Sequence, residues 1–282
     1  MGTLMQAEEL AVRLGEPAVR VFDCRFDLAR PDAGREAYAA GHIPGAAYAD
    51  LNRDLSAPQT PGSGRHPLPT PVAFAERLRA FGVSRDSVVV ACDAGNGMYA
   101  SRLWWMLRWL GHDAAYVLDG GLQRWIALGL PVEVSAPAHG PGDFVARPRP
   151  DMAVDTAGVL ARLPDPSSRL LDARAPERYR GEVEPIDAVA GHVPGAVNHP
   201  FTASIGEDAR LLPPEQLREA FTRGLAGIPA ARTVAMCGSG VTACHLLLAM
   251  EHAGLPGARL YPGSWSEWSR DPSRPVARGA AP

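Results

Sequence analysis

The feature that most restricts this chain is that it repeats itself. Gly41-His42-Ile43-Pro44-Gly45-Ala46 returns as Gly191-His192-Val193-Pro194-Gly195-Ala196, 150 positions later. Upstream, Val21-Phe22-Asp23-Cys24-Arg25 is answered by Leu170-Leu171-Asp172-Ala173-Arg174. Downstream, Val88-Val89-Val90-Ala91 is answered by Thr233-Val234-Ala235-Met236, and Gly120-Gly121-Leu122-Gln123-Arg124-Trp125 by Gly263-Ser264-Trp265-Ser266-Glu267-Trp268. Matches in one order at nearly constant offset mean a duplicated domain, each copy long enough to bury its own core. The reading is therefore a first domain over 1–134, a proline- and glycine-rich linker over 135–150, and a second domain over 151–282.

Within each copy, short apolar runs alternate with helical patterns. In the second, Arg169–Asp172 and Thr233–Met236 read as buried strands. Pro214–Arg223 reads as a helix with proline in its first turn, and Val241–Ala253 as an apolar helix stopped by Gly254. Strands alternating with helices predict an α/β fold, with a mostly parallel sheet flanked by helices in each domain. Such sheets build sites beyond the carboxyl ends of their strands, where Asp172 and Cys237 fall.

Composition removes several classes of function. The formal net charge is −3, which gives no basic excess for nucleic acid or an anionic membrane. All 28 basic residues are arginine, so lysine Schiff-base chemistry and the lysine-containing phosphate loop are absent. No apolar run reaches the ~18 residues of a membrane span, and Met1–Leu10 lacks a signal-peptide pattern. Four cysteines without a Cys-x-x-Cys pair make no disulfide framework, so a cytoplasmic protein with reduced thiols is expected. No clustered Cys/His spacing suggests a metal.

The duplication also serves as an internal control: what both copies keep reads as fold, and what one keeps reads as chemistry. His42 and His192 are both kept beside Pro-Gly and read as turn residues. Asp23 with Arg25 and Asp172 with Arg174 read as buried pairs. The copies part between strand and helix, where Cys237-Gly238-Ser239-Gly240-Val241-Thr242 stands opposite a loop starting at Asp93. A glycine-rich turn leading into a helix N-terminus presents inward-facing amides and a positive dipole end, which together favour an anion at the centre. Cys237 is there expected to be held as a thiolate, and the same cradle could hold a persulfide. The alternative is an inert buried thiol, which is the reading for Cys92 and Cys244. Cysteine phosphatases need an arginine six positions after the nucleophile; here that position is Ala243.

Taken together, the Asp-Ala-Arg strand end, Gly-His-Val-Pro-Gly, the Cys237–Thr242 loop and Gly263-Ser264-Trp265-Ser266-Glu267-Trp268 resemble the two-domain rhodanese sulfurtransferases, over nearly the whole chain. The resemblance implies a catalytic second domain and a non-catalytic first one. Cys237 would accept sulfane sulfur from a donor and pass it to a thiophilic acceptor (cyanide, a small thiol or thioredoxin) without metal or organic cofactor. Thiosulfate enzymes of the family carry cations in the loop, whereas Cys-Gly-Ser-Gly-Val-Thr is the loop of the mercaptopyruvate type, so 3-mercaptopyruvate is the expected donor and thiosulfate the alternative.

By the same resemblance Ser239 and His66 would relay the thiol proton, with His66 reaching over from the first domain. Arg178 would hold the donor carboxylate by a forked hydrogen bond, and Gly238, Gly240, Val241 and Thr242 would line the donor. The first copy has Ala29 in place of Arg178. Two positions depart from the pattern: Asn52 stands where the relay aspartate is expected, and Ile186 near the place of a second carboxylate-binding arginine. A persulfide carrier with little free turnover, and a redox sensor pairing Cys237 with Cys244, are the readings from other classes.

Overall fold

The computed structural model describes residues 2–137 and 139–282; Met1 and Ala138, the latter within the linker stretch, lie outside them. The chain forms two compact units. The first holds β1 (Leu4–Met5), α1 (Ala7–Arg13), β2 (Val19–Asp23), α2 (Ala33–Ala40), β3 (Ala47–Tyr48), α3 (Pro71–Ala80), β4 (Val88–Cys92), α4 (Ala100–Trp109), β5 (Ala115–Leu118) and α5 (Gly121–Ala127). The second holds α6 (Thr156–Leu160), β6 (Arg169–Asp172), α7 (Pro176–Tyr179), β7 (Ala196–Asn198), α8 (Pro214–Leu225), β8 (Thr233–Met236), α9 (Thr242–His252), β9 (Arg259–Leu260) and α10 (Ser264–Trp268).

Every strand pairing within the sheets is parallel. The first sheet runs β1-β5-β4-β2-β3 and the second β7-β6-β8-β9, so the last four strands of the first map one for one onto the second. A single parallel bridge, Ala153 to Leu260, stands in the second unit where β1 pairs with β5 in the first. The central strands are apolar runs because helices cover both faces of a parallel sheet. The helices after β4 and β8 are buried along most of their length, which accounts for their lack of a polar face. Helix α9 stops where Gly254 takes a left-handed φ of 73°.

The features kept in both copies have matching structural roles. His42 and His192 are fully buried, each stacked on a tyrosine at 3.8 Å and each with both ring nitrogens on backbone carbonyls. Arg25 ties Asp23 to the Gly41 carbonyl, and Arg174 ties Asp172 to the Gly191 carbonyl. These pairs lock the end of a central strand to the turn that follows the next element.

The units do not divide the chain as simply as the repeat does. The first comprises Met1–Ala57, Leu68–Arg149 and Gly206–Leu211; the second comprises Pro58–Pro67, Pro150–Ile205 and Leu212–Pro282. Side-chain bonds explain both short segments. Arg210 and the Leu211 amide bind Asp119, and Arg210 also binds Gln6, within the first unit. Within the second, the Arg65 amide donates to Ser266 Oγ, and Arg270 donates to the carbonyls of Thr60 and Pro61. His66 therefore belongs to the second unit, not to the first, where the sequence position had placed it.

Candidate active site

The Cys237 loop starts at the carboxyl end of β8 and runs into α9. Its shape is imposed by the start of α10. The amides of Trp265 and Ser266 donate to the carbonyls of Cys237 (2.9 Å) and Gly238 (2.8 Å), and the Cys237 amide donates to Ser264 Oγ at 3.0 Å. With the loop carbonyls held outward, the Gly240 amide turns in and donates to Cys237 Sγ at 3.1 Å. That turn requires glycine: Gly240 has φ 78°, and a Cβ there would lie 2.5 Å from the Pro262 carbonyl oxygen. Cys237 is only 2% exposed, deeper than a sulfur at an open loop mouth.

Ser239 and His66 meet directly, with Nδ1 of His66 2.7 Å from Ser239 Oγ in a buried pair. The backbone before His66 is fixed by close packing as well as by Ser266, since a Cβ on Gly64 would stand 2.6 Å from the Gly263 carbonyl oxygen. Val241 is buried and Thr242 opens α9. Asn52 is an exposed residue of the first unit whose amide donates to Asp50.

Arg178, on the short helix α7, corrects the expectation of a free fork. Its Nε and Nη2 are held by the two oxygens of buried Glu184 at 3.3 and 2.7 Å, and Nη2 also reaches Asp187 at 3.3 Å. What faces the cysteine loop is Nη1, 3.5 Å from the point where a side chain on Gly238 would begin. Ile186 is exposed, its amide capping Glu184. The neighbouring Asp187 stands in the same turn as Glu184. Burial pushes its carboxyl above the ordinary carboxylate range, against the pull of Arg65.

The remaining cysteines lack this setting. Burial pushes the Cys24 and Cys92 thiols well up, and the Cys244 thiol donates to the Gly240 carbonyl from within α9. The sequence reading passed over Arg65 and Glu184. Arg65 could have been suspected from its place beside His66 in a glycine-bounded turn; Glu184 had no signal, because only side-chain geometry brings it onto Arg178 six residues before it. Among the described residues no group of three or more His, Cys, Asp or Glu side chains is placed to hold a metal. No helix among them is long and apolar enough to cross a membrane.

Two parallel-sheet units whose corresponding loops bear a cysteine in one and an aspartate in the other define a tandem rhodanese architecture. The rhodanese-like domain model matches residues 6–128 and 156–271, and the chain belongs to the rhodanese family, as a two-domain sulfurtransferase. It is 53% identical over 278 residues to a probable 3-mercaptopyruvate sulfurtransferase of Pseudomonas aeruginosa, covering 98% of each chain. It is 39% identical over 288 residues to a putative thiosulfate sulfurtransferase of Mycobacterium tuberculosis, covering 99% of this chain and 98% of the other. The crystal structure of SseA from Escherichia coli, described as a 3-mercaptopyruvate sulfotransferase, superposes with a TM-score of 0.82 at 33% identity, covering 95% of this chain and all of the other.

Proposed function

We propose that the second unit is the catalytic one and that it moves sulfane sulfur from 3-mercaptopyruvate to a thiophilic acceptor through a persulfide on Cys237. The observation that carries this reading is the Gly240 amide on Cys237 Sγ at 3.1 Å, in a loop that opens onto the N-terminus of α9. A donor N–H aimed at sulfur favours the nucleophilic anion and costs no reorganisation when sulfur is transferred.

The chemistry balances without a redox partner. The Cys237 thiolate attacks the donor sulfur, the new S–S bond forms, and the C–S bond breaks with its electron pair passing to the pyruvate enolate. That enolate takes a proton, for which the buried, mutually hydrogen-bonded Ser239–His66 pair would serve as relay. The acceptor thiolate or cyanide then attacks the outer sulfur and returns Cys237 to its starting state. Thioredoxin suits as an acceptor because its second thiol can displace the transferred sulfur as hydrogen sulfide. The reduced thiols this requires accord with a cytoplasmic setting.

The donor assignment rests on the uncharged Gly238-Ser239-Gly240-Val241 sequence and on the mercaptopyruvate relatives. The Mycobacterium relative, named for thiosulfate, supports thiosulfate as the second reading. Steady-state turnover with the two donors in parallel tests the choice. Pyruvate release with a small thiol acceptor is expected, with kcat/KM at least about tenfold above that for thiosulfate. Preference for thiosulfate would overturn the donor, and single-turnover loading without steady-state release would leave a carrier instead of an enzyme.

A further inference from the structure

Beside Arg178, a second guanidinium reaches the cysteine loop. Arg65 Nη2 lies 3.0 Å from the point where a Gly238 side chain would begin, the same point that Arg178 Nη1 approaches at 3.5 Å. The two arginines also share one carboxylate: Asp187 Oδ1 pairs with Arg65 Nη1, and Oδ2 accepts from Arg178 Nη2 at 3.3 Å. Glu184 fills the forked edge of Arg178, so Arg178 alone offers the loop a single donor nitrogen. Among the described residues the buried Nε of Arg65 has no hydrogen-bond partner, so the guanidinium is not fully engaged by its protein contacts. Its side chain is 16% exposed, which leaves the group reachable. The Ser266 bond and the Gly64 contact fix the backbone that carries it.

We infer that Arg65 and Arg178 together form the carboxylate clamp for the sulfur donor, one nitrogen from each replacing the fork that a single arginine would supply. Asp187 holds the two guanidinium groups side by side from behind, and the missing side chain of Gly238 lets both approach the loop closely. The ligand class is a small 2-oxo acid bearing sulfur on C3. Its carboxylate would sit against Arg65 and Arg178, one residue along the chain from the Cys237 sulfur it must reach. Gly238 becomes a specificity residue too, since any Cβ there would press on Arg65 at 3.0 Å.

This rests on the mercaptopyruvate reading, and the test separates the two. The kinetics of wild type, Arg65→Gln and Arg65→Lys are compared on 3-mercaptopyruvate and on its methyl ester, which keeps the sulfur and ketone but lacks the charge. Loss of one charge-assisted contact predicts that Arg65→Gln raises KM for the acid about 10- to 100-fold with kcat changed less than about threefold. Arg65→Lys should recover part of that loss as a point charge. On the ester, wild type and Arg65→Gln should have equal kcat/KM, because the carboxylate that Arg65 would bind is gone. An unchanged KM for the acid, or equal losses on acid and ester, would overturn the clamp and make Arg65 a structural support for His66. If wild type releases no pyruvate from the acid, the donor reading itself falls and takes the clamp with it.

Discussion

The loops after β4 and β8 start alike and end differently. In both, the amides of the second and third residues of the helix that follows the last sheet strand hold the loop carbonyls. Leu122 and Gln123 bind the carbonyls of Asp93 and Ala94, as Trp265 and Ser266 bind those of Cys237 and Gly238. The residue at the head of the loop decides the rest. Asp93 Oδ1 accepts from the amides of Gly95 and Gly97, and Oδ2 from those of Tyr99 and Ala100, at 2.9 to 3.2 Å. A carboxylate thus fills the first cradle, while in the second the Gly240 amide meets a single sulfur atom. From Cβ outward, an aspartate spans two further heavy atoms to its oxygens, and a persulfide spans two to its outer sulfur. The first unit displays with carbon and oxygen the anion that the second is proposed to make with sulfur.

Opposite outcomes at the two loop heads would sharpen this contrast. Cys237→Ser is expected to lower turnover at least about 1,000-fold while changing unfolding free energy by less than about 1 kcal/mol. Asp93→Ala should do the reverse. Four amides, three of them buried, lose their acceptor, so denaturant unfolding should report a loss of about 3 kcal/mol. Sulfur loading of Cys237 should persist under native conditions. A stability change below about 0.5 kcal/mol for Asp93→Ala would mean that the first cradle is satisfied by something other than this side chain.

Much of the architecture could be read from the repeat. Its periodic runs located β6, β8, α8 and α9, and the paired His-Pro-Gly turns marked equivalent positions in the two sheets. The cysteine loop was legible for the same reason, since local geometry from Cys237 to Thr242 follows from glycine placement and the helix start. The rest depended on side-chain contacts that no motif marks, one of them far apart in sequence and the other only six residues long. That His66 belongs with the second unit is decided by Gly64 packing on Gly263 and by Ser266, about 200 positions away. That Arg178 has its fork occupied is decided by Glu184, whose carboxylate also draws the amides of Ile186 and Asp187. No pattern of spacing announces a carboxylate whose partners lie on α7 and in the turn after it.

The most direct test locates the transferred sulfur. After incubation with 3-mercaptopyruvate and removal of excess donor, intact mass followed by peptide mapping should show one added sulfur atom. It should sit on Cys237 and not on Cys24, Cys92 or Cys244. An unchanged mass, or sulfur on any of the other three thiols, would contradict the assignment of the second-unit cradle as the place where sulfur is held.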